Sequence, residues 1–157
     1  MISPHDLMRH AIAAARQGIA DGQSPFGCAI ACGDELIAVE HNLVLATTDI
    51  TAHAEITALR SACRQRRAIH LVGCIVASTC EPCPMCMAAL HWARVDAVYF
   101  GATIADAAHA GFNELAIPAE EVLRRGRSQV RLVPEILPAE CQALFGEFIR
   151  RPAHRVY

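Results

Sequence analysis

The 157-residue chain has no apolar run near the roughly 20 residues that cross a bilayer, which argues against a helical membrane span. Its first residues, Met1-Ile2-Ser3-Pro4-His5-Asp6, lack both the basic and the apolar stretch of an export signal, so the expected address is the cytoplasm. Charge of one sign is scarce too. The net charge is −2 and the pI near 6.4, which argues against a surface built to hold nucleic acid. No internal repeat, low-complexity tract or linker divides the chain, so residues 1–157 read as one domain of 17.0 kDa, long enough to bury a core. At 54% hydrophobic residues, disorder is not expected.

Cysteine, by contrast, is abundant. Eight cysteines stand at 28, 32, 63, 74, 80, 83, 86 and 141, and without an export signal they read as reduced thiols plus metal ligands. The organising stretch is Cys80-Glu81-Pro82-Cys83-Pro84-Met85-Cys86, read with His53-Ala54-Glu55 upstream. Thiolates and an imidazole are what Zn²⁺ takes in tetrahedral geometry. Cys83-x-x-Cys86 sets two sulfurs on one turn, and Pro84 suits the first helical position, where a missing N–H costs nothing. A helix N-terminus favours thiolate over thiol. With His53 as third ligand, a fourth position stays open for water, the pattern of a catalytic site, and Glu55 stands beside it as a proton acceptor. The bland alternative is a closed structural site of Cys80, Cys83, Cys86 and His53. Glu55 counts against it, because a closed site gains nothing from a carboxylate that is costly to bury.

Along the chain, Ser3 and Asp6 mark the cap of a first helix that stops at Asp21-Gly22. Phe26–Ala31 and Glu35–Asn42 read as a hairpin turning at Cys32-Gly33-Asp34, and a loop through Asp49 leads to a helix holding His53 and Glu55. Leu71–Ser78 is a strand feeding the cysteine stretch, Pro84–Ala93 a helix, and Asp96–Gly101 a strand. Asp106, His109 and Glu114 fall in a loop or short helix; Pro118 opens a helical turn, Gln129–Val133 is a late strand, and a last helix runs from Pro138 to about Arg150. This order predicts helices on both faces of a mixed sheet.

His53-x-Glu55 with Pro82-Cys83-x-x-Cys86 resembles the signature of the zinc-dependent cytidine deaminase superfamily. Thr51-Ala52-His53-Ala54-Glu55, Pro25-Phe26-Gly27, His41-Asn42, Trp92-Ala93-Arg94 and Ala110-Gly111-Phe112 are most similar to its guanine deaminase branch. The resemblance implies a three-layer α/β/α fold around a mixed sheet of about five strands. It also implies one Zn²⁺ per chain on His53, Cys83 and Cys86, zinc-bound hydroxide as nucleophile, and Glu55 as proton shuttle. Cys80 is not a ligand in that family. Glu114 is implied as a second proton-shuttling carboxylate, with Asp106 its competitor. Phe26 and Asn42 are the implied contacts to a small nucleobase; Trp92, as a flat ring that could sandwich the base with Phe26, and Ala54 and Tyr157 are further expected contacts, although an Asn at a strand end and a Trp on a helix are more often structural. The tail from Arg150 to Tyr157 is implied to cap the active site within a homodimer, against the plain reading of a frayed basic end. The expected reaction is guanine to xanthine and ammonia. Rivals are another amino-heterocycle, adenosine in tRNA, or a zinc-stabilised module without activity.

Overall fold

A computed structural model describes residues 1–157. Helix α1 (Pro4–Ala20) starts at Ser3, whose Oγ accepts from the Asp6 amide at 3.1 Å, with Pro4 in the first turn. The hairpin follows as β1 (Gly27–Cys32) and β2 (Glu35–His41), turning at Gly33 with φ +63°, a left-handed conformation glycine adopts without strain. A one-turn helix α2 (Val44–Thr47) occupies part of the stretch expected as loop. Then come α3 (Ala54–Arg66), β3 (Cys74–Cys80), α4 (Pro84–Trp92), β4 (Ala97–Ala102), α5 (Ile104–His109), α6 (Ala119–Gly126), β5 (Arg131–Val133) and α7 (Pro138–Ile149).

The five strands form one mixed sheet in the order β2-β1-β3-β4-β5; β1 runs antiparallel to both neighbours, while β3, β4 and β5 are parallel. Period-two alternation sorts β1 between two core layers. Cys28 and Ile30 join Ala54, Ala58, Val76, Met87, Leu90 and Val98 beneath α3 and α4. Ala29 and Ala31 join Leu7, Met8, Ile12, Leu144, Phe145 and Phe148 beneath α1 and α7. Small residues on that second face let α1 lie close, and at Gly27 a Cβ would stand 2.0 Å from the Ala11 carbonyl oxygen. The expected α/β/α layering is the observed one.

Two boundaries differ from expectation. β3 starts at Cys74 because Leu71-Val72-Gly73 makes a turn, the Cys74 amide donating to the Leu71 carbonyl at 3.1 Å with Gly73 at φ +80°. His53 is the cap of α3 with extended backbone, not a residue on the helix. Both ligand-bearing helices therefore begin at the same end of β3, where open α/β sheets place their ligands.

Candidate active site

His53 and Cys83 hold the N-cap positions of α3 and α4, and neither side chain caps its own helix. Ser, Thr, Asn or Asp would turn inward at such a position; here an imidazole and a thiol turn toward each other. The Nδ1 of His53 lies 3.7 Å from the Cys83 sulfur and 3.6 Å from the Cys86 sulfur. All three donor atoms fall within 4.8 Å of one another. A tetrahedral metal with ordinary Zn–N and Zn–S bonds holds N and S about 3.6 Å apart, so the donor set fits zinc. The Cys80 sulfur is elsewhere, donating to the Thr103 carbonyl at 3.4 Å, and the closed four-ligand alternative is not formed.

The charges of the three donor groups depend on one another. The Cys83 thiol is pulled down to about 4, first by the Cys86 thiol that donates to it and then by His53, against the opposing effect of burial. Cys86, as donor in that pair and deeply buried, is pushed the other way. Burial would lower His53, but the Cys83 sulfur and the carboxylates of Glu55 and Glu114 outweigh it and raise its pKa.

Glu55, in the first turn of α3, is buried at 6% exposure and accepts from Ser78 Oγ at 3.0 Å. Burial raises its pKa, which brings a carboxyl toward the range useful for proton transfer near neutrality. Glu114 reaches the same pocket from the extended segment after α5. Buried Phe112, edge-on to Phe26 with centroids 4.9 Å apart, anchors that segment. Its pKa too is raised, first by burial and then by the negative Cys83. Glu81 ties together the starts of α5 and α6, which flank that segment, accepting from the Ile104 amide at 3.3 Å and the Ala119 amide at 2.8 Å.

The pocket is closed by the chain's last residue. Tyr157 OH receives a 2.6 Å hydrogen bond from Asn42 Nδ2, while Asn42 Oδ1 accepts from the Val44 amide at 3.1 Å. Between Phe26, Asn42, His53, Glu55, Glu114 and Tyr157 about 20 Å³ remains, room for one water.

The model of the cytidine and deoxycytidylate deaminase zinc-binding region matches residues 1–102, which span all three donors and Glu55. The chain belongs to this deaminase family. It is a zinc-dependent aminohydrolase, similar to the guanine deaminase of Bacillus subtilis (strain 168) at 43% identity over 122 residues, 73% of this chain and 78% of that one. It is also 32% identical over 146 residues to the tRNA-specific adenosine deaminase of Aquifex aeolicus, covering 92% of this chain and 93% of that one. Among solved structures, a guanine deaminase from Nitrosomonas europaea matches with a TM-score of 0.86 at 26% identity, covering 94% of this chain and 85% of that one.

Not every residue expected at the site of this deaminase gathers there. Trp92 is 75% exposed at the last position of α4. Nine residues past Cys83 is about two and a half turns, the opposite face of the helix, so it does not line this pocket. Ala54 is wholly buried and its methyl packs in the core beneath α3. Asp106 closes a capping box with Thr103, accepting from its amide at 2.8 Å, and faces away from the pocket. Ser78 and Glu81 were not anticipated. Ser78 carries no spacing signal inside an apolar strand, whereas Glu81, between Cys80 and Pro82, stood in plain view as a polar residue without an assigned task.

Proposed function

We propose that this enzyme hydrolyses guanine to xanthine and ammonia, with one zinc ion per chain on His53, Cys83 and Cys86. The observation that carries the substrate class is the pocket's lining. Three carboxylates, Glu55, Glu81 and Glu114, face it, and none of the chain's fourteen basic side chains, all arginine, does. A polynucleotide's phosphates would meet like charge there, whereas a neutral base meets a buried amide, a phenyl edge and proton-transfer groups. Similarity to guanine deaminases supports guanine among such bases.

Bound zinc supplies Lewis acidity and a water whose pKa is lowered toward ~7. Glu55 accepts the proton of the attacking water and delivers it to a ring nitrogen. Glu114, the second carboxyl, hands a proton to the departing amine and takes up the proton of the C2 hydroxyl, so that the C2–N bond breaks to release ammonia, C2 becomes a carbonyl and the carboxyl is restored. Ser78 holds Glu55 in place through its 3.0 Å hydrogen bond. Asn42 reads the polar edge of the base with the amide that otherwise bonds Tyr157, Phe26 packs on the ring, and Tyr157 caps the pocket.

We also propose a cytoplasmic homodimer. Eight free cysteines suit a reducing compartment, and the exposed indole of Trp92 is surface that a second copy would cover; sedimentation velocity reads the state directly.

The deciding experiment is ammonia release by the zinc-loaded protein on guanine, guanosine, cytosine, cytidine, adenine, ammeline and an anticodon stem-loop RNA, with Glu55→Gln as control. Turnover of guanine that vanishes in the control is the expected result. Preference for the RNA would overturn the substrate assignment and leave the zinc chemistry standing.

A further inference from the structure

Away from the active site, at the other end of β1 and β3, two cysteines face each other across the sheet. Cys32 ends β1 and Cys74 begins β3, and they are direct partners in the antiparallel register. The Cys74 amide donates to the Leu71 carbonyl and the Cys74 carbonyl accepts from the Asp96 amide beside β4, so its backbone groups point away from β1. Cys32 and Cys74 are therefore a non-hydrogen-bonded pair, whose Cα atoms lie about 4.5 Å apart with side chains close on one face. That spacing falls within the range of roughly 4.4–6.8 Å that a disulfide spans. Both side chains belong to the core layer beneath α3, and the two sulfurs have unequal access: Cys32 is partly exposed next to the Gly33 turn, and Cys74 is wholly buried beneath it.

We propose that Cys32 and Cys74 form a reversible dithiol–disulfide site, oxidised by low-molecular-weight disulfides. The reaction runs by thiol–disulfide exchange in two steps. The accessible Cys32 thiolate attacks a small disulfide R–S–S–R, forming a Cys32–S–S–R bond and expelling one thiolate. The Cys74 thiol then gives up its proton to that thiolate and attacks the Cys32 sulfur, breaking the mixed disulfide and expelling the second. Two electrons and two protons pass from the protein to the small disulfide, which leaves as two thiols. The Arg66 guanidinium, 3.9 Å from the Cys32 sulfur, offers a cation to the charge that sulfur carries as it attacks. Burial, with the Cys32 sulfur alongside, pushes Cys74 up to about 12, which makes it the resolving thiol and the second step the slow one.

The bridge closes a loop that contains Asn42, His53 and Glu55 and staples the two central antiparallel strands some six residues below the site.

The test treats the zinc-loaded full chain with oxidised glutathione and follows intact mass and tryptic peptides. The expected product is about 2 Da lighter than the reduced protein, with a linked peptide pair holding Cys32 and Cys74, reversed by dithiothreitol. Cys74→Ser should stop at a mixed disulfide on Cys32 and Cys32→Ser should leave Cys74 unmodified, both with zinc content and turnover unchanged. A wild-type mixed disulfide that persists without resolving, or a bridge from Cys32 to the nearby Cys63 instead, overturns the proposal. Because the wild-type peptide map is decisive alone, a variant that fails to fold does not rescue it.

Discussion

The pocket has two unlike walls. One carries His53, Glu55, Cys83 and Cys86 on the first turns of α3 and α4, whose buried residues share one core layer. The other carries Glu114 and Tyr157 on segments without regular structure, joined by an Asn113 amide to Tyr157 carbonyl bond of 3.1 Å and by the Asn42–Tyr157 contact. The match to the family model ends at residue 102, so it contains the first wall and stops short of the second. The metal donors thus sit on regular helices within the matched region, while Glu114 and Tyr157 sit on irregular segments beyond it.

The largest effect should follow from breaking the first wall. Cys86→Ala should abolish zinc binding, read by metal analysis. It should also lower kcat by more than the roughly 10²- to 10⁴-fold that one proton-transfer group contributes. Zinc retained at wild-type occupancy would mean that the donor set is wrong. Glu114→Gln probes the second wall's chemistry and should cost about 10²-fold in kcat with zinc intact, while an unchanged kcat would remove Glu114 from the mechanism. Deleting His154–Tyr157 frees Asn42 and opens the pocket, so kcat/KM for guanine should fall by about 10-fold, the order of one hydrogen bond with its packing, again with zinc retained. Equal kinetics would make the tail ornamental.

Asp106→Ala should show the smallest effect and sharpens the contrast with Glu114. It removes half of the α5 capping box, costing about 1 kcal/mol of stability with turnover unchanged. Burial would raise the Asp106 pKa, but hydrogen bonds from Thr103 and Gln142 outweigh it and hold it below the ordinary carboxylate value. A lowered folded-state pKa gives stability that is full above the unfolded value of about 3.9 and is lost as pH falls through the folded one. The melting-temperature gap between wild type and variant should therefore close in acid. A gap that persists there would mean that the carboxylate's charge contributes nothing.

The first wall was legible in the sequence because its information is local. His53-x-Glu55 and Cys83-x-x-Cys86 are spacings within a turn, and Pro84 marked the helix start that the structure has. The cap at Ser3 and the hairpin turn at Gly33 were readable for the same reason. What lay beyond reach was long-range. Asn42 and Tyr157 are 115 positions apart, and Ser78 meets Glu55 across 23; no periodicity announces either. Trp92 offers a flat ring that could stack on a base, but the helical turn between Cys83 and the end of α4 carries it to an exposed face.

The two terminal helices have a consequence for how the protein is made. Leu7, Met8 and Ile12 of α1 share a core layer with Leu144, Phe145 and Phe148 of α7, and Arg16 reaches Glu147 at 3.1 Å. Synthesis delivers these partners far apart in time, Arg16 and Glu147 being 131 positions apart. Until about residue 149 has emerged, the apolar face of α1 can cover only its sheet side, and a nascent chain carries that half-covered stripe while everything between α1 and α7 is made. A transcript cut short before α7 therefore yields a sticky product, one that quality control meets as exposed hydrophobic surface. Helix α1 waits for α7.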